Sequence, residues 1–125
     1  MGQRREPEAR QVKTSSAKAK GRRLQSRVAA DIVATFGFHP DDATSRSSGA
    51  TGTDVLLSGA AAARFPYAVE CKNQERVALW EAWKQAEANA GDDRAPLLVL
   101  ARNRQEPLAV LTWEDFLWLA QKARG

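Results

Sequence analysis

Bulky apolar residues fall into blocks along this chain, and each block has its own period. Leu24, Val28, Ile32 and Phe36 recur at helical spacing, Ala29, Ala30 and Val33 widen the stripe, and Gly37 stops it. A first helix from about Lys20 to Phe36 is predicted. His39-Pro40-Asp41-Asp42 reads as a turn, and Ala43 to Arg46 as a short edge strand before the Ser- and Gly-rich loop at 47–52. Thr53 to Leu57 and Pro66 to Lys72 are predicted as two central strands, separated by a small alanine-rich connection. Val77 to Ala90, rich in Ala, Glu, Lys, Gln and Trp, predicts a strong helix that Gly91-Asp92-Asp93 ends before Pro96. Leu97 to Ala101 and Leu108 to Thr112 predict a hairpin-like pair around the polar loop at 102–107, and Trp113 to Lys122 a closing amphipathic helix. The order is helix, two or three strands, helix, two strands, helix: an α/β chain without an internal repeat.

The first 18 residues carry almost no bulky apolar side chain and cannot bury enough surface to offset their ordering entropy. A disordered basic tail (1–18) ahead of a folded domain (19–125) is expected. A chain of 125 residues, 43% hydrophobic and 27% charged, suits one such domain with a modest core. Its charge is uneven. Nine Lys/Arg and two acids lie between Met1 and Arg27, a local net of +7 that leaves −3 for the rest of a chain carrying +4. That asymmetry is the footprint of a nucleic-acid partner, whose counterions are released on contact; a solvated, solubilising tail is the plainer alternative. The longest apolar run, Pro96 to Ala101, is far too short to span a bilayer, and the basic N-terminus lacks the apolar stretch of a signal peptide. A cytoplasmic protein with no membrane partner is expected. Cys71 is the only cysteine and His39 the only histidine, so a disulfide scaffold or a cysteine-rich zinc site is poorly supported, and any metal chemistry rests on oxygen ligands.

The tetrad Val69-Glu70-Cys71-Lys72 closes a β-prone run, and strand alternation sends Glu70 and Lys72 to one face, Val69 and Cys71 to the other. If the strand headed by Asp54 pairs beside it, a second carboxylate joins Glu70, and two close carboxylates repel unless a cation sits between them. The chemistry these types support is phosphodiester hydrolysis. A divalent ion held by Asp54, Glu70 and the main-chain carbonyl of Cys71 would act as Lewis acid and lower the pKa of a bound water; Lys72 would orient that water and stabilise charge on the phosphate. Hard oxygen ligands select Mg2+, with Mn2+ as substitute, over zinc. The plainer alternative is a surface Glu-Lys pair on an exposed sheet face and an Asp capping a strand.

An acid heading one strand, Asp54, then Glu70-Cys71-Lys72 in the next strand and a helix after it, resembles the PD-(D/E)xK nuclease superfamily. The resemblance implies a restriction-endonuclease-like αβββαβ core, with a mixed central sheet flanked by helices. Lys20-Gly21-Arg22-Arg23-Leu24 and Ser45-Arg46-Ser47-Ser48-Gly49 further resemble archaeal-type Holliday-junction resolvases and related phage-encoded nucleases, over about Lys20 to Leu100. It implies a metal-dependent endodeoxyribonuclease of recombination or repair, acting on branched DNA in a bacterial or phage-infected cytoplasm. The ends left would be a 5′-phosphate and a 3′-hydroxyl. Asp54, Glu70 and Lys72 would be its catalytic residues, with Asp54, Glu70 and Cys71 on the metal. Two positions depart from the pattern. Gln25 stands where such resolvases carry a metal-binding helix glutamate, which leaves at most a weakened second metal site, and Thr53 stands where a proline precedes the aspartate. The literal Pro40-Asp41 lies in a turn with no apolar strand after it, and Asp54 has the better context.

Weaker signals surround these residues. Ser47 and Ser48 could hydrogen-bond phosphate oxygens, Arg22, Arg23, Arg27 and Arg46 could grip flanking phosphates, and Asn73 and Gln85 follow the lysine strand toward the same region; solvated polar residues are the alternative throughout. Trp80 and Trp83 suit a core or dimer contact better than base stacking, and Cys71 suits the core. A symmetric four-way junction needs two active sites, so a homodimer is expected, with Trp83, Trp113, Phe116 and Trp118 exceeding what one small core requires. A nicking or other endonuclease of the same fold stays open, as does a non-catalytic DNA-binding protein, although a pure binding module has no use for paired carboxylates facing anionic DNA.

Overall fold

The structure, a computed structural model, describes residues 5–46 and 52–124, with side chains from residue 16 onward. Its elements are four helices and five strands: α1 (Arg5–Phe36), β1 (Ala43–Ser45), β2 (Val55–Leu57), α2 (Gly59–Arg64), β3 (Tyr67–Asn73), α3 (Leu79–Ala90), β4 (Ala95–Ala101), β5 (Leu108–Val110) and α4 (Trp113–Arg124). The chain is thus mixed α/β, as the periodicities predict. Among the described residues no helix is long and apolar enough to cross a membrane.

α1 begins at Arg5, not near Lys20, so the segment expected to be a disordered tail carries helix from that point. Lack of apolar residues argues against burial, not against helix. Glu6, Ala9, Gln11, Lys13, Ala17 and Ala19 are good helix formers, and Pro7 falls in the first turn, where an N–H has no intrahelical partner to lose. The other end stops as expected: Gly37 takes φ +68°, and the Phe38 N–H donates back to the Val33 carbonyl at 3.1 Å. α2 arises in the alanine-rich connection, where no helix is predicted. Ser58 caps it by accepting the Ala61 N–H at 3.1 Å, and Ala61 is fully buried beneath it.

The strands do not form the single central sheet expected. β1 and β2 make an antiparallel pair, Ala43 opposite Leu57, while β3, β4 and β5 make a second sheet in that order, β3 parallel and β5 antiparallel to β4. One backbone bond, Asp54 N–H to the Val69 carbonyl at 2.9 Å, joins the two sheets. The ladder stops there for a definite reason. The next N–H on that edge of β3, Cys71, is taken at 2.7 Å by the Asp54 side chain in place of a strand carbonyl.

Both faces of β3–β4 are covered. Val69, Cys71 and Val99 pack with Leu24, Val28, Ala29 and Ile32 of α1 on one side. On the other, Ala82 and Ala86 of α3 lie against Leu98, which is wholly buried. Small residues at that four-residue spacing let α3 approach the sheet closely.

Candidate functional site

β4 occupies one edge of β3, and the other edge faces Asp54. Asp54 lies one residue before β2 and is fixed through its backbone on both sides: its N–H donates to Val69, and its carbonyl accepts the Arg46 N–H at 2.8 Å. The carboxylate is fixed as well, since the 2.7 Å bond from the Cys71 N–H is of the short, charge-assisted kind. A strand residue's N–H and C=O leave by the same edge, so the Cys71 carbonyl also faces this side.

Glu70 stands beside Asp54, and only 3% of its surface is exposed. Burial first, then a hydrogen bond with the Asp54 carboxyl and the charge of that group, push its pKa up to about 7; Lys72 and the Asn89 amide act in the opposite sense. Asn89 reaches down from α3 and donates from Nδ2 to Glu70 Oε2 at 3.3 Å. The Cys71 thiol, on the opposite face of β3, is buried in the core and held far above the ordinary thiol pKa, chiefly by burial, so it stays protonated.

These groups open onto a cavity of about 380 Å³ lined by Gln25, Gly52, Asp54, Glu70, Cys71, Lys72, Gln85 and Asn89. It sits at the β3 edge between α1 and α3, so both helices contribute amides. Gln25 Oε1 is a buried acceptor with no hydrogen-bond partner among the described residues. Among the described residues no group of three or more His, Cys, Asp or Glu side chains is placed to hold a metal ion, and the oxygen donors around this cavity are two carboxylates, the amides of Gln25, Gln85 and Asn89, and a main-chain carbonyl. All are hard oxygens. An orphaned amide oxygen beside two carboxylates that push one pKa upward suits a small divalent cation.

The expected site residues divide. Asp54, Glu70, Cys71, Lys72 and Gln85 come together around one cavity. Asn73 turns away: its Nδ2 donates to the Lys20 carbonyl at 3.0 Å and ties the end of β3 to α1. Arg46 is also a brace. Its Nε donates to the Thr53 carbonyl, and its guanidinium lies 3.2 Å from where a Cβ on Gly52 would stand, at a residue whose φ of +99° already requires glycine. Arg27 pairs with Asp31 at 3.7 Å and Glu106 at 3.3 Å, whereas Arg22 and Arg23 are exposed on α1. Ser47 and Ser48 lie outside the described residues. Pro40 and Asp41 form a 3-10 turn, in which Asp42 accepts the His39 N–H and the Ser58 hydroxyl. Trp83 packs against the Leu98 cluster, and it is Trp80 that is exposed.

No protein-family model, curated protein or solved structure matches this chain. The functional reading therefore rests on the residues at the β3 edge. Asn89 is the one that sequence reasoning missed; its only signal is the four-residue spacing from Gln85, which sets both on one side of α3.

Proposed function

We propose that this protein is a divalent-metal-dependent DNA endonuclease of the PD-(D/E)xK type, selective for branched DNA such as four-way junctions. The observation that carries the reading is the buried Glu70 carboxyl held against Asp54, with Lys72 on the same face of β3 and Gln25 lining the shared cavity. The order helix, three strands, helix, strand, with α2 inserted before the third strand, supports it. So does the excess of basic residues up to Arg27.

Asp54, Glu70 and the Cys71 carbonyl would hold Mg2+ or Mn2+, which when bound supplies Lewis acidity at the scissile phosphate. Asp54 brings a carboxylate whose orientation the Cys71 N–H fixes. Glu70 adds the charge that burial disfavours in the cation's absence. Lys72 orients the attacking water and stabilises negative charge on the phosphate. Gln25 contributes a neutral oxygen where a carboxylate would favour a second ion. The cutting unit would be a homodimer, because symmetric incision needs two such sites, working in a bacterial or phage-infected cytoplasm.

The test incubates the full chain with labelled junction, duplex and single-stranded DNA, with Mg2+ and with chelator. Cleavage of the junction with Mg2+ alone is expected, leaving 5′-phosphate ends. Asp54→Asn, Glu70→Gln and Lys72→Ala should each lower the rate by about 10²-fold or more while junction binding persists. Binding without cleavage by the unaltered chain would leave a DNA-binding protein. Cutting by these variants at the unaltered rate would show that the site is misplaced.

A further inference from the structure

We infer that Asn89 is a positioning residue for Glu70, setting which carboxylate oxygen is free to hold a cation; the inference rests on the reading of Asp54 and Glu70 as a cation site. Asn89 Nδ2 donates to Glu70 Oε2 at 3.3 Å. That commits one oxygen of a carboxyl group whose residue is 3% exposed. The other is left for Asp54, Lys72 and the cavity. A buried carboxylate without that donor has two ways to recover a partner: it rotates toward another donor, or it keeps a proton shared with Asp54. Either outcome competes with the cation.

The geometry of α3 is what makes so short a side chain effective. Ala86 and Ala90 flank Asn89 and are 1% and 7% exposed, so the end of the helix sits tight on the fold and its position is set by packing, independently of the hydrogen bond. Gln85, one turn earlier and exposed, lines the same cavity with a longer reach. An aspartate at 89 would fill the same volume but could donate nothing and would add a third negative charge. The amide is the side chain of that size that supplies a donor there.

The experiment titrates the full chain with Mn2+ alone, without DNA, following the free-ion paramagnetic resonance signal. Asn89→Ala, and Asn89→Leu, which keeps the branching and the number of heavy atoms without a donor, should both weaken Mn2+ binding by about tenfold or more. Their far-UV circular dichroism and urea midpoints should stay near those of the unaltered chain, because the side chain is only half-buried. In a Glu70→Gln background the same substitutions should add nothing. Wild-type Mn2+ affinity in either variant would overturn the role of Asn89 and leave the cation site standing. An unaltered chain that does not bind Mn2+ would overturn the cation site itself, and Asn89 with it.

Discussion

A carboxyl group as deeply buried as Glu70 is stable only if it is protonated or compensated, and the fold leaves it between the two conditions. In the unfolded chain it titrates near 4.5; in the folded chain burial and Asp54 raise this to about 7. Between those values the folded state holds the extra proton, so this group's contribution to stability is fully present below pH 4.5 and is lost as pH rises through 7. Glu70→Gln removes the ionisation. The variant should therefore be more stable than the unaltered chain at pH 8, by up to ~3 kcal/mol, with the gap closing at pH 5. Thermal melts at the two values check this, and a gap of equal size at both would refute the assignment. Adding Mg2+ should narrow the gap at pH 8, since a cation compensates the charge. At this scale much of the candidate site was legible: strand alternation puts Glu70 and Lys72 on one face, and Asp54 joins them once its strand is set beside β3. Asn89 was not, since nothing local distinguishes a polar residue on α3 until Ala82, Ala86 and Ala90 fix which side meets the sheet. Asn73 and Arg46 make bonds that could not be read in advance for a related reason: their partners, the Lys20 and Thr53 carbonyls, are backbone groups that no side-chain pattern reveals.

Elements were read best where a period is long and its stop residue strong. The apolar stripe of α1 ends at Gly37, and α3 ends at Gly91, as their sequences require. Strand pairing was harder, because the division into two sheets turns on one side chain capturing one N–H, that of Cys71. The start of α1 lies earlier than the apolar stripe predicts because burial and helix propensity are separate quantities, and the sequence before Lys20 has helix formers without bulky apolar residues. That distinction bears on DNA binding. The first 18 residues include five Lys/Arg and two acids, a net charge of +3 that favours contact with phosphates. Removing residues 1–18 should weaken junction binding and flatten the dependence of log affinity on log salt, by up to about 4 in slope, without moving the cut sites. An unchanged slope would leave the segment with no part in binding, and altered cut sites would give it a part in recognition.

At the scale of the whole molecule, α4 is the element that one chain does not account for. None of its residues is buried, although Trp113, Phe116, Leu117 and Ala120 form a stripe at helical spacing and Trp113 is 72% exposed. Its first turn carries Glu114 and Asp115, and its last carries Lys122 and Arg124. Two copies laid antiparallel would set each acidic end against a basic one, whereas a parallel pair would oppose like charges, so a second copy of α4 is the occupant that its charges fit. Leu108, on the edge strand β5 that precedes α4 in the chain, is exposed as well. The proposed nuclease needs two sites related by a two-fold axis, and such a pairing would supply one. Light scattering at micromolar protein should report twice 13.7 kDa. Phe116→Asp, at a position outside the core, should leave the fold intact and give single chains, and with them the loss of paired, symmetric incisions across the junction point. A chain that is monomeric at these concentrations and cuts linear duplex as readily as a junction would remove both the dimer and the preference for branched DNA, while leaving the chemistry at Asp54, Glu70 and Lys72 untouched.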